Sequence, residues 1–118
     1  MKYIKIYEDY RDTEIDAICM EYEIENYTIN SDGSIDVNGD VHLYNMILTE
    51  IPLKFGKVTG SFNCSSNYLT SLKGSPTEVG VSFDCSYNKL TSLEHCPTKT
   101  KHFRCNDNNL TSLEYSPK

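Results

Sequence analysis

Five cysteines and three histidines are the residues that could bring nucleophilic or metal chemistry to this 118-residue chain, and their spacing argues against both. Cys64, Cys85 and Cys105 follow one another at intervals of 21 and 20 positions. Stacked on neighbouring strands they would form a line of thiols. Zinc takes four ligands in a tetrahedron, and a line inside an apolar interior does not supply one. The column reads as small buried hydrophobes. Cys96 lies beside His95, where sister segments carry Ser75 and Ser116, and is expected in an accessible return loop. A catalytic Cys–His pair must also meet an oxyanion donor in space, which sequence adjacency does not provide. His42 and His102 fall at outward positions and read as surface contacts. No phosphate-cradling loop, zinc helix or Ser–His–Asp arrangement is present. The chain is therefore expected to be no enzyme, with no catalytic residue, metal ligand or cofactor assigned.

The elements behind those columns come from self-similarity. Segments beginning at Ser61, Ser82 and His102 share the frame Phe-x-Cys-x-x-Asn-x-Leu-Thr-Ser-Leu-x-x-x-Pro. Its columns are Phe62, Phe83 and Phe103; Asn67, Asn88 and Asn108; Leu69, Leu90 and Leu110; and Leu72, Leu93 and Leu113, besides the cysteines. A degenerate copy sets Val41 over Phe62, Leu43 over Cys64, Leu48 over Leu69 and Ile51 over Leu72, with Met46 in the asparagine column. Ile35 and Val37 form half a repeat after the turn Ser31-Asp32-Gly33. Phe-x-Cys alternates with period two, so its apolar members point inward on strands stacked in parallel. Each asparagine should satisfy backbone groups where the chain bends inward. Pro76, Pro97 and Pro117 set an extended return path.

This frame resembles the leucine-rich-repeat motif in the short, 20–21-residue form of bacterial effectors, and most closely the small leucine-rich-repeat proteins of tailed phages, in which Leu-Thr-Ser-Leu-Glu and Cys-x-x-Asn recur. The resemblance implies an α+β repeat solenoid with one parallel sheet over residues 30–118, a half repeat plus four repeats. Residues 1–29 are expected to cap it. Ile15, Ile18, Cys19 and Tyr22 lie at helical spacing, which predicts a helix over about 13–23 with Asp12 or Thr13 as N-cap. Residues 1–10 read as either a strand or an early helical turn. The last rung, with Phe103, Cys105, Leu110 and Leu113, carries no capping helix before Lys118. It is expected to be covered by a second copy, giving a homo-oligomer, or by the partner.

Leucine-rich repeats bind through the outward side chains of their concave sheet, a broad polar surface on a rigid support. The resemblance thus directs attention to four outward sets: Asp40, His42 and Tyr44; Ser61, Asn63 and Ser65; Ser82, Asp84 and Ser86; and His102, Arg104 and Asn106. Tyr87 lies one position beyond its set. Tyr44, Tyr87 and Arg104 are the residue types that dominate interface energetics.

Charge narrows the partner. Residues 1–50 hold three basic and twelve acidic groups, a net −9, whereas residues 51–118 hold eight and five, a net +3. A net −6 does not suit a nucleic-acid ligand, whose phosphates call for a basic patch. No apolar run approaches the roughly 20 residues that span a bilayer. Residues 1–20 lack a signal-peptide core, and an odd cysteine count suits a reducing cytoplasm. The expected function is a phage-type inhibitor or adaptor of a host protein, counter-defence included, in the cytoplasm of an infected bacterium. The alternatives are an acidic nucleic-acid mimic working through residues 8–25, or a virion component. Glu21, Glu23 and Glu25, spaced by two, would not share one face of a helix.

Overall fold

The computed structural model describes residues 10–117. The reading of residues 1–10 thus falls, but for Tyr10, outside the described residues. The elements run α1 (Tyr10–Glu21), β1 (Tyr27–Ile29), β2 (Ile35–Val37), β3 (Val41–His42), β4 (Phe55–Val58), β5 (Phe62–Asn63), β6 (Glu78–Val79), β7 (Ser82–Asp84) and β8 (His102–Arg104). Among the described residues they build an α/β domain of one helix and two open four-stranded sheets, in the orders β1-β2-β4-β6 and β3-β5-β7-β8. Only β1 and β2 pair antiparallel; the other strand pairs are parallel.

The second of these sheets is the one the repeat predicts. Val41 pairs with Phe62, Phe62 with Phe83, and Phe83 with Phe103, so the register offset equals the sequence period. Inside, the Phe62 and Phe83 rings lie 5.5 Å apart with planes 6° from parallel, and Phe83 and Phe103 lie 5.8 Å apart at 8°. Phe55 meets Phe62 edge-on at 5.0 Å. These separations lie in the range where aromatic pairs add to simple burial. Cys64, Cys85 and the leucines at 69, 72, 90 and 93 complete a fully enclosed core.

The first sheet corrects the expectation of a single one. The return path after each Leu-Thr-Ser-Leu is itself paired: Val37 aligns with Val58 and Val58 with Val79. A bridge from Glu78 to Lys99 continues the ladder into the next unit. Pro76 does not prevent this, because pairing begins one residue later with Thr77 N–H donating to Gly56 O at 2.7 Å. Ile35 and Val37, the half repeat, belong to this sheet. Across residue 30, β1 and β2 form a hairpin whose turn is held by the Asp32 carboxylate, which accepts from the Ser34 amide and hydroxyl.

The asparagine column clamps one unit to the next. Asn67 Nδ2 donates to Leu43 O, Cys64 O and Ser65 O, while its Oδ1 accepts from the Met46 and Leu48 amides. Asn88 repeats the pattern with Cys64 O, Cys85 O, Ser86 O and the Leu69 amide. Each asparagine serves its own bend and the bend of the preceding unit. Met46 stands in the column at the unit whose strand, β3, is the first of its sheet among the described residues, so there is no preceding bend there for an asparagine to clamp.

The helix starts and stops earlier than predicted. Asp12 and Thr13 lie inside it rather than capping it. Its end is a Schellman motif: Ile24 N–H donates to Cys19 O at 2.8 Å and Glu23 N–H to Met20 O at 3.2 Å, with Glu23 at φ 55°. Glycine usually takes that left-handed position, so a glutamate there hides the stop signal. The apolar face lies where the spacing puts it. Ile15 and Cys19 are buried against the core, and Ile18 and Tyr22 are partly buried beside them.

Candidate functional site

Outward side chains of β3, β5, β7 and β8 stand in register as His42, Asn63, Asp84 and Arg104. His42 and Arg104 at the two ends are exposed, and Asn63 and Asp84 between them are half-buried. Much of this row's polar capacity is used internally. Asn63 Oδ1 accepts from the Ser65 amide and hydroxyl, at 2.9 and 2.6 Å. Asp84 Oδ1 likewise accepts from the Ser86 amide at 3.0 Å. Asp40 Oδ1 accepts from the Ser61 amide, and the Ser82 hydroxyl donates to that of Ser61. These side chains close the turns of the sheet before they meet any partner.

The third row departs from the prediction. Tyr44 and Asn106 are exposed and Ser65 is half-buried, but Ser86 is 3% exposed with its hydroxyl donating to Asn106 Oδ1 at 2.6 Å. Strict alternation counts Ser86 as outward. By that position the chain has already turned, since Tyr87 follows at φ 57°. Ser86 therefore offers no contact surface. His102 and Tyr87 are exposed, as their columns require.

Beyond the ends of β3, β5 and β7 lies a set of exposed side chains that the repeat frame conceals. Ile47 from the first unit, Tyr68 from the second and Lys89 from the third fill the position just before the recurring leucine of the frame, Met46 precedes Ile47, and all four are exposed. Tyr44 and Tyr87 border them. The His42 and Tyr44 rings meet edge-on at 6.2 Å, and Lys89 Nζ lies 5.9 Å from the centre of the Tyr68 ring. The signal was available: Ile47 and Tyr68 are apolar in a column that otherwise holds Lys89 and Asn109.

The thiols lie away from this surface. Cys64 and Cys85 are completely buried, and burial pushes both thiols far above their ordinary value. Cys96 is buried too, contrary to the accessible return loop expected of it. Its Sγ donates to Tyr115 O at 2.9 Å, and burial raises it to about 11. A thiol that stays protonated is a poor nucleophile. Among the described residues no group of His, Cys, Asp and Glu is placed to hold a metal ion. On another side of the molecule, Ile51, Leu53, Gly74, His95 and Cys96 border an open groove of about 800 Å³, to which no predicted site residue contributes.

The acidic stretch also differs from its helical reading. Because α1 ends at Glu21 and Glu23 takes a left-handed conformation, Glu21, Glu23 and Glu25 are all exposed while Ile24 between them is buried. The Tyr27 hydroxyl ties β1 to α1 by donating to Asp16 at 2.5 Å; burial and that bond raise the phenol. No helix among the described residues is long and apolar enough to cross a membrane.

No protein-family model, curated protein or solved structure matches the chain.

Proposed function

We propose that this chain is a non-enzymatic protein-binding module of the short leucine-rich-repeat type, engaging its partner through the β3-β5-β7-β8 sheet and the tyrosines beside it. The observation that carries the reading is the in-register outward row from His42 to Arg104 on a sheet anchored by stacked phenylalanines and asparagine clamps. A rigid support of this kind lowers the ordering cost of binding. Tyr44, Tyr87 and Arg104 supply the residue types that serve as interface anchors. The resemblance to small phage proteins makes the target a host protein of an infected bacterium and the action inhibition or adaptation, including of a defence system, in the cytoplasm.

The test is affinity capture with the full chain from a bacterial lysate. Wild type is expected to retain a protein that the double variant Tyr44→Ala, Arg104→Glu loses. Equal retention by both would overturn the reading. A second reading, nucleic-acid mimicry, is favoured by the common exposure of Glu21, Glu23 and Glu25. It predicts capture that is lost on charge reversal of those three residues and weakens steeply with salt, with Tyr44→Ala, Arg104→Glu unaffected.

A further inference from the structure

Two exposed side chains occupy backbone conformations that work against them. Ile47 sits at φ 59° and is 77% exposed; Tyr87 sits at φ 57° and is 57% exposed. A left-handed conformation disfavours any residue with a Cβ, and a β-branched one most of all. The molecule contains the cheaper solution in the same column as Tyr87, where Asn45 and Asp107 hold φ 55° and 58°. Folding therefore does not ask for Tyr87, and solubility asks for neither residue. Strained positions that expose large apolar groups mark functional surfaces.

From this we infer that the ridge of Tyr44, Met46, Ile47, Tyr68 and Tyr87, with Lys89 at its edge, is the centre of the contact surface, and that its occupant is a positively charged protein presenting an apolar patch. The inference rests on the protein-binding reading of the same sheet and moves its centre from the polar row to the ridge. Two alternatives fit the charge less well. A second copy would bring together two chains of net −6, which repel. A nucleic acid would set phosphates against the same negative field. A cationic protein is steered towards it. The five apolar members of the ridge are uncharged, so the facing patch must be apolar, and the partner's positive charge belongs at its rim, towards the acidic first half of the chain.

The experiment uses the full ¹⁵N-labelled chain and a defined probe, a 15-residue amphipathic peptide with leucines on one face and lysines on the other. A version with glutamates in place of the lysines is the control. Amide shifts are expected at residues 44–47, 68 and 87–89 with a Kd on the order of 100 μM, and the glutamate peptide should produce none. Tyr87→Asn should weaken binding about tenfold or more while raising Tm by about 3 °C, because it removes a contact and relieves the backbone together. Ile47→Asn should behave alike. A merely structural role for either residue would lower Tm instead, and that result overturns the inference. So do shifts confined to residues 12–25, or no shifts at all. Shifts confined to residues 42, 63, 84 and 104 overturn it too, while leaving the protein-binding reading of the sheet intact.

Discussion

Replacing Asn67 with alanine removes five hydrogen bonds at a site 5% exposed, and it tests whether the asparagine column holds the units together. The cost can be assembled from the structure. Two amides, Met46 N–H and Leu48 N–H, each lose the Asn67 Oδ1 acceptor 2.9 Å away. An unsatisfied buried donor costs about 1–3 kcal/mol, the upper part of that range for Leu48 N–H, which is buried, and the lower for Met46 N–H, which is part-buried. The carbonyls of Leu43 and Cys64 lose a donor as well, but a carbonyl tolerates an empty lone pair better than an amide tolerates an empty N–H. The sum is about 3 kcal/mol, near 2 M in urea midpoint at an m-value of about 1.5 kcal/mol/M. Asn108→Ala is the internal control. Asn108 makes the same kind of clamp to the Leu90 amide and to Cys85 O, yet it is only partly buried, so water can replace what it loses. Its cost should be about 1 kcal/mol. Asn63→Ala, outward on β5, should cost less still. Urea unfolding followed by far-ultraviolet circular dichroism measures all three. Asn67→Ala within 0.5 kcal/mol of wild type, or Asn108→Ala the worse of the two, would refute the clamp as the source of cohesion.

Four further outcomes follow from single positions. Gly74→Ala should cost about 2 kcal/mol in the same unfolding assay, since φ is 97° and a Cβ would stand 2.6 Å from Leu53 O, whereas His95→Gly, in the same column at φ 76°, should be neutral or stabilising. Ser75 Oγ is buried without a partner, so Ser75→Ala should raise stability by about 1 kcal/mol, and a loss would mean the hydroxyl is satisfied after all. Glu23→Gly should add about 0.5–1 kcal/mol by supplying the residue that the Schellman position favours, readable as a higher Tm. Folded Cys64 and Cys85 have pKa values raised above the ordinary thiol value near 9, so their contribution is complete below pH 9 and declines as the unfolded chain ionises above it. Unfolding free energies should fall from about pH 9 upwards, and a flat profile to pH 10.5 would be inconsistent with buried neutral thiols.

The parts legible in the sequence are those that recur. Phe62, Cys64, Asn67, Leu69 and Leu72 each hold their place because the neighbouring unit presents the same residue type to the same environment, and one sheet with its register follows. The other sheet was hidden for a physical reason. Its strands β4 and β6 contribute Val58 and Val79 inward, but their neighbours Lys57 and Glu78 are charged, and no run is long enough to establish a period. The hairpin β1–β2 does not repeat and its first strand is only half-buried. Cys96 was misplaced because serine at the sister positions suggests a surface, whereas Ser75 is buried as well. Of the proposed ridge, Tyr44 and Tyr87 were legible, whereas Met46, Ile47 and Tyr68 escaped because attention to shared columns discards the positions where units disagree.

Those positions of disagreement carry the functional information here. The four units act as related solutions to one folding problem within a single chain. Where they agree, the residue answers to the interior or to the clamp; where they differ without structural consequence, the surface is free to drift. A third class remains, in which one unit departs from the others at a cost to its own folding. Tyr87 against Asn45 and Asp107 is such a case, as is Ile47, left-handed and exposed, in a column whose other members keep negative φ. His95 and Tyr115, left-handed where Gly74 is the easier choice, form a second pair on the side with the open groove. There the groove wall brings His95 and not an apolar side chain, and Tyr115 contributes its carbonyl to Cys96. For Tyr115 a bond within the fold accompanies the bend, the Cys96 thiol donating to its carbonyl. The bend at Tyr87 is likewise held by the fold, its N–H donating to Asn106 O at 2.9 Å, but Asn45 and Asp107 take the same bend, so the tyrosine itself is not what the bend requires, and contact with another molecule is the reason proposed for keeping it.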